Sequence, residues 1–131
     1  MAPTAPKMDL HTIIEQRGGV LLVTVCGEFA LDAGLRLFKQ ACEIAAEKQV
    51  NKILFNGLPM EGSISTYDRY RFGVEMAEYL NPDRMNLRVA FVGKPPVMNG
   101  FAAQVAQNRD VLIEMFSSEQ EALNWLERWS S

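Results

Sequence analysis

The pattern of hydrophobic and polar positions opens with two apolar runs separated by a pair of glycines. Residues 10–16 contain Ile13 and Ile14, and residues 20–26 are rich in β-branched side chains. Arg17-Gly18-Gly19 stands between the two runs and interrupts both. Two strand-compatible segments around a glycine pair are typical of a β-hairpin. We therefore expect the chain to begin with two antiparallel strands.

The rest of the chain alternates between helical and strand-like periodicity. An amphipathic helix is predicted over residues 32–48, because apolar residues recur there every three or four positions. A second helix is predicted over residues 66–80 and ends before Asn81-Pro82, since proline disfavours helix in the preceding residue. Ser118-Glu-Gln-Glu121 has the spacing of a capping box and indicates a final helix. The other predicted elements are strands over residues 52–55, 87–92 and 111–116, and a short helix over residues 99–107.

The resulting order, β-β-α-β-α-β-α-β-α, predicts a single α/β domain. Strands that alternate with helices are joined by right-handed crossovers, so we expect a mainly parallel sheet with helices packed on it. The opening hairpin adds one antiparallel edge strand. The 131 residues, 48% of them hydrophobic, are enough for one domain with its own core. We expect this domain to span residues 10–131, after a disordered tail of prolines and small residues at 1–9.

Composition narrows the classes of function. A net charge of −3 and a pI of about 5.2 provide no positive field for DNA or RNA, so nucleic acid is not an expected partner. The longest apolar run, residues 20–26, is too short to cross a bilayer, and the N-terminus lacks the features of a signal peptide. We therefore expect a cytoplasmic protein. Cys26 and Cys42 have neither zinc-site nor redox-motif spacing and are expected to be reduced core residues, with a disulfide between them as the alternative.

The chemistry-bearing side chains form no catalytic pattern. The sole histidine, His11, lies in the first predicted strand, and no serine of the nucleophile-elbow kind follows any strand. No glycine pair has a phosphate-cradling pattern. Glu28 and Glu114 stand beside no second group that would complete a catalytic pair. We therefore expect no enzymatic activity, no cofactor and no metal ion.

The element order and three segments resemble the STAS (anti-sigma-factor antagonist) superfamily, and more closely its SpoIIAA-like branch of small bacterial proteins. The segments are the opening hairpin with its helix, the strand over residues 52–56, and residues 113–126. In the last segment, a strand ending in Phe116 precedes a serine cap, an acidic turn and Ala-Leu-x-Trp-Leu. The resemblance covers nearly the whole chain from about residue 10. It implies a non-enzymatic module that works through protein contacts, with a regulatory kinase or an anti-sigma-like factor as partner.

The resemblance also implies a phosphorylation site. In well-studied STAS proteins, a serine in the loop after the central strand is phosphorylated by a partner kinase, within Asp-Ser followed closely by Gly. Counting from Phe55, the matching residue here is Ser65, with Ser63 as second choice. No Asp precedes either serine, and Tyr67 stands at the glycine position. Ser63 and Ser65 are therefore the candidate phosphorylation sites.

Local chemistry leaves two roles open for these serines. A phosphate at the start of the second helix would meet unpaired N–H groups and the positive end of the helix dipole, with Arg69 expected within reach. The alternative is that Ser65 or Thr66 only caps the helix, with its hydroxyl accepting a hydrogen bond from a backbone N–H.

A second candidate site is a cleft between the loops over residues 56–62 and 93–100. Both loops leave the carboxyl ends of strands, where ligands bind in open α/β sheets. We expect the cleft to dock a partner or to hold a small apolar, lipid-like ligand. The alternative is that Met60, Met98 and Phe101 only close the core over short loops. The candidate residues offer an amide, a charge, two adaptable methionines and two tyrosines: Asn56, Met60, Tyr67, Tyr70, Lys94 and Met98.

Residues 67–71 interleave tyrosines with arginines. Such a pattern stacks on nucleic-acid bases in other proteins, but the acidic total charge argues against that role here. Helical spacing predicts an ion pair between Arg71 and Glu75, four residues apart. Exposed tyrosines would make the segment a docking face, since Tyr and Arg are enriched in interface hot spots. A homodimer is a further option, through the hairpin edge or through Trp125 and Trp129.

Overall fold

Strands and helices alternate along the chain in the computed structural model, which describes residues 8–84 and 86–128. The predicted order is confirmed, with one short strand added after the third. The elements are β1 (His11–Arg17), β2 (Val20–Glu28), α1 (Leu31–Glu47), β3 (Lys52–Asn56), β4 (Met60–Glu61), α2 (Thr66–Leu80), β5 (Arg88–Val92), α3 (Phe101–Gln107), β6 (Leu112–Phe116) and α4 (Glu119–Glu127).

The sheet has the strand order β1-β2-β3-β5-β6, and β4 pairs with the end of β2. β1 and β2 are antiparallel, with Ile13 opposite Thr24, and the other pairs are parallel. The mainly parallel sheet with one antiparallel edge strand is thus confirmed. β4 escaped prediction because two residues are too few to show a period.

The first described residues are hydrogen-bonded to the end of β2. The backbone N of Glu28 donates to the Met8 carbonyl at 3.0 Å, and Asp9 forms a β-bridge with Glu28. Residues 1–7 of the expected tail lie outside the described residues.

Helices cover the two faces of the sheet unequally. α1, α2 and α3 pack on one face, where Phe38, Phe55 and Phe91 are central to the core. α4 covers the other face, with Leu126 packed in a smaller cluster that includes Leu54. The helix-rich face therefore contains most of the buried volume, and the candidate sites lie at its carboxyl edge.

The buried side of α2 is decided by its contact with α3. Tyr70 and Val74 share a helical stripe with the buried Ala77 and Leu80, but Tyr70 is 43% exposed and Val74 is only half-buried. The cause is Gly73, where an added Cβ would lie 2.5 Å from the carbonyl oxygen of Ala102 in α3. The close approach of the two helices turns Gly73 inwards and rotates Tyr70 outwards. The buried residues of α2 are Gly73, Met76, Ala77 and Leu80.

Both cysteines are free, as expected. Cys42 lies on the buried side of α1, and burial raises the pKa of its thiol to about 12, with the guanidinium of Arg84 acting in the opposite direction. The neutral thiol behaves as a small apolar core group. Cys26 is half-buried near the end of β2.

Candidate functional site

The loops that follow β3 and β5 meet at the carboxyl edge of the sheet. Gly57 N donates to the carbonyl oxygen of Val92 at 2.8 Å, and Gly93 N donates to that of Phe116 at 3.1 Å. These bonds extend the parallel ladder by one residue at the end of each strand. The two loops are neighbours, as the parallel order predicted.

The two glycines create the space occupied by Met98. A Cβ at Gly57 would lie 2.8 Å from Met98 Cε, and a Cβ at Gly93 would overlap Met98 Sδ. Met98 is held at this position by its backbone N, which donates to the Lys94 carbonyl at 3.0 Å. Because neither strand end carries a side chain at these positions, the methionine lies across both.

Arg69 connects the start of α2 to the loop after β5. Its Nε donates to the carbonyl oxygen of Ile64 at 3.1 Å, Nη1 to Val97 at 3.0 Å, and Nη2 to Pro96 at 2.7 Å. Hydrogen bonds from a charged donor are stronger than neutral ones, so this arginine fixes both loops. In the unmodified chain the guanidinium of Arg69 is directed to these three carbonyls and not to Ser65, so its reach to a phosphate on that serine stays a prediction.

An apolar pocket with a cavity volume of about 80 Å³ lies beneath Met98. Of the six candidate cleft residues, Met60 and Met98 line it. The side chain of Asn56 makes a local hydrogen bond instead, in which its Oδ1 accepts from Leu58 N at 3.0 Å. Lys94 is exposed outside the lining. Aromatic and methionine side chains make up much of the wall: Phe29, Phe38, Phe55, Phe72, Phe91, Met60, Met76, Met98 and Met115.

The start of α2 is capped by Ser65. Its Oγ accepts a hydrogen bond from Asp68 N at 3.0 Å, and its backbone is extended, as befits an N-cap. The capping role proposed for Ser65 or Thr66 thus belongs to Ser65, and Thr66 is the first helical residue. Ser63 and Ser65 are both exposed, four and two residues before Tyr67, respectively.

Tyr67 and Tyr70 in the first half of α2 lie outside the pocket and face solvent. Tyr67 is 65% exposed, and Tyr70 lies beneath the guanidinium of Arg109, 5.8 Å from the ring centroid. Arg71 Nη2 is 3.1 Å from Glu75 Oε2, which confirms the predicted ion pair. The pKa of Arg71 is raised, mainly by its hydrogen bond to Glu75 and to a smaller extent by its hydrogen bond to Tyr67. We call the surface formed by Tyr67, Tyr70, Arg71 and Arg109 the α2 face.

Two solved structures share this arrangement of strands and helices. A crystal structure of an anti-sigma factor antagonist from Mycobacterium paratuberculosis is 15% identical, with a TM-score of 0.63, over 91% of this chain and 95% of that one. A DUF3478-family protein with a SpoIIAA-like fold, from Shewanella loihica, is 17% identical, with a TM-score of 0.53, over 96% of this chain and 99% of that one. The chain has a SpoIIAA-like fold.

Structural likeness thus confirms the STAS/SpoIIAA-like fold inferred from the sequence. No protein-family model matches the sequence, and no curated protein is significantly similar to it. At 15% and 17% identity the likeness concerns the fold, so the roles of individual residues must be argued from this chain.

The two surfaces expected for a homodimer, the hairpin edge and the C-terminal tryptophans, expose few apolar side chains among the described residues. Ile13 is 61% exposed on the edge strand β1, and Trp125 is half-buried against Phe116, with ring centroids 5.6 Å apart. Trp129 lies outside the described residues.

Within 8–84 and 86–128, no group of three or more His, Cys, Asp or Glu side chains is placed to hold a metal ion. No helix in this part of the chain is long and apolar enough to cross a membrane. His11 Nδ1 lies 2.9 Å from the Asp9 carbonyl on the exposed side of β1.

Proposed function

We propose that the chain is a non-enzymatic STAS-type regulatory module that binds a protein partner through the α2 face. The observation that carries this proposal is the exposure of two tyrosines on one helix, 65% for Tyr67 and 43% for Tyr70. Tyrosine provides a large apolar ring with a polar tip, and Tyr and Arg contribute disproportionately to interface hot spots. Arg71 and Arg109 stand beside these rings.

The partner in this proposal is a regulatory kinase or an anti-sigma-like factor. One protein with the same fold is an anti-sigma factor antagonist, which supports a protein partner of this class. The side of α2 opposite this face is buried against the core, since Met76, Ala77 and Leu80 are nearly inaccessible to solvent, and this contact holds the helix in place. Rigid surfaces lose less conformational entropy on binding.

Phosphorylation of Ser65, or in second place Ser63, is the proposed control. Ser65 is exposed and lies at the positive end of the dipole of a 15-residue helix. Because Arg69 is engaged with the neighbouring loop, a phosphate would act through the negative charge that it places within one turn of Tyr67. A partner whose charges complement the unmodified surface would then bind more weakly.

The other function suggested by the sequence is the carriage of a lipid-like ligand, and the size of the pocket supports it less well. The pocket beneath Met98 is apolar, but its volume is about 80 Å³. Pockets for drug-sized molecules occupy roughly 300–1,000 Å³. A lipid chain would therefore require a large displacement of the loops that Arg69 holds together.

Quantitative affinity purification from cells of the source organism tests the docking proposal. Wild-type bait is compared with Tyr67→Ala/Tyr70→Ala, and with Ile13→Ala as a control that removes an exposed apolar side chain elsewhere. A specific partner should fall by about tenfold or more with the double variant and remain with the control, given hot-spot contributions of about 2 kcal/mol.

Recovery of the same proteins by all three baits would contradict a docking role for the α2 face. Intact mass of the chain from the same cells tests the control step separately. A chain that stays unmodified across growth conditions would remove Ser65 and Ser63 as switches and leave the docking surface itself untouched.

A further inference from the structure

The pocket beneath Met98 is larger than the gaps expected in a packed core. Protein interiors contain few voids larger than a water molecule, whose share of liquid volume is about 30 Å³. A cavity of about 80 Å³ lined almost entirely by apolar atoms gives water few hydrogen-bond partners. Its position at the carboxyl ends of β3 and β5 is where open α/β sheets bind their ligands.

Aromatic rings give the pocket flat and edge-on walls. Phe55 and Phe91 are stacked, with centroids 5.0 Å apart and an interplanar angle of 13°, and Phe38 lies at 13° to Phe91. Phe72 meets Phe91 nearly edge-on, at 68°, and Phe29 meets Phe72 at 83°. Stacked and edge-to-face contacts are the geometries that aromatic rings prefer. A planar ring is therefore the shape that these walls favour.

The polar groups in the lining are already engaged within the protein. Arg69 donates to the carbonyls of Ile64, Pro96 and Val97. Asn99 Oδ1 accepts a hydrogen bond from Phe101 N at 3.0 Å. A charged ligand would lose its hydration in an apolar pocket with little compensation. The pocket accordingly favours an uncharged ligand.

Met98 is the adjustable wall. It lies over Gly57 and Gly93, so backbone and not side chains supports it from below, and it is half-buried at the rim. Methionine is unbranched and has three rotatable side-chain bonds, which allows it to vacate space at small cost. An apolar cavity of about 150 Å³ is known to stay dry and to bind benzene, and displacement of Met98 would enlarge this pocket towards that size.

We propose that this pocket is a binding site for a small, uncharged, apolar molecule of about one ring, admitted by displacement of Met98. The site is separate from the α2 face, since Tyr67 and Tyr70 do not line it. Ligand binding and partner docking can therefore succeed or fail independently.

Benzene as a probe, with NMR detection of the methionine methyl groups, tests the proposal. The methyls of Met60, Met76, Met98 and Met115 line the pocket, whereas Met8 is exposed and outside it, and so serves as an internal control. Benzene should shift the pocket methyls in a saturable manner and leave Met8 unchanged. Benzoate, which has the same ring with a charge, should shift none of them.

Two variants sharpen the test. Met98→Ala should raise the affinity for benzene about tenfold or more, because the adjustable wall is removed. Met98→Leu nearly preserves the volume but replaces the unbranched side chain with a branched one, so it should bind benzene more weakly than the wild type does. Tyr67→Ala/Tyr70→Ala should also bind benzene as the wild type does, whatever its effect on partner docking.

Several outcomes would overturn the proposal. An absence of shifts at the pocket methyls of the wild type at saturating benzene contradicts the site. Equal shifts at Met8 and the pocket methyls would show non-specific association and contradict it as well. If Met98→Ala does not fold, Ala103→Leu provides the converse test, because it narrows the pocket and should reduce benzene binding about tenfold; unchanged binding would overturn the assignment.

Discussion

α2 and α4 both begin with a serine cap, but the surroundings of the two caps differ. Ser65 Oγ accepts from Asp68 N at 3.0 Å, and Ser118 Oγ accepts from Glu121 N at 3.2 Å. At α4, the Glu121 carboxylate also accepts hydrogen bonds from the hydroxyls of Ser118 and Ser117, at 3.0 and 3.1 Å. The two helices thus share the same serine cap, but the cap of α4 is hydrogen-bonded to an acidic side chain and the cap of α2 is not.

This difference bears on which helix start can accept an added negative charge. The first turn of α4 already contains Glu119 and Glu121, so a phosphate on Ser118 would meet like charges. The first turn of α2 contains Asp68 alone, and exposed tyrosines follow it. Capping geometry by itself therefore does not identify a regulatory serine; the charges and the exposed surface around the cap do.

The largest difference between the helix starts is expected from Arg69, which fastens α2 to the loop after β5. Arg69→Met removes three charge-assisted hydrogen bonds and leaves carbonyls partly buried without a donor, so the free energy of unfolding should fall by about 3 kcal/mol. Urea denaturation measures this change. Arg71→Met, on the exposed side of the same helix, is the matched control and should leave stability almost unchanged. Equal effects of the two substitutions would refute the anchoring role.

A smaller effect is expected from the caps themselves. Ser65→Ala and Ser118→Ala should each lower the free energy of unfolding by about 1 kcal/mol, because a helical N–H loses its acceptor. Ser118→Ala should cost slightly more, since its hydroxyl also donates to Glu121. Urea denaturation of both variants measures the difference. A Ser65→Ala variant as stable as the wild type would show that the hydroxyl contributes nothing as a cap.

Features with local signals could be predicted from the sequence. α2 was predicted over Thr66–Leu80 and has these bounds, because a serine cap and the Asn81-Pro82 stop both act within a few residues. The meeting of the loops after β3 and β5 follows from parallel strand order, so Met60 and Met98 were correctly placed near each other.

Features that depend on distant contacts could not be predicted. Arg69 bonds to Pro96 and Val97, which are 27 and 28 residues away in the chain, and no pattern in the sequence marks carbonyl acceptors. The exposure of Tyr70 depends on a distant contact of the same kind, because the approach of α3 to Gly73 decides which side of α2 is buried.

The affinity of the isolated partner for Ser65→Asp and Ser118→Asp tests the central claim most directly. Aspartate is itself a good N-cap, so each substitution preserves the helix start while adding a negative charge. Titration calorimetry should show about a tenfold or greater loss of affinity for Ser65→Asp and wild-type affinity for Ser118→Asp. Equal affinities for both variants would contradict a docking surface at the start of α2 that is controlled by charge.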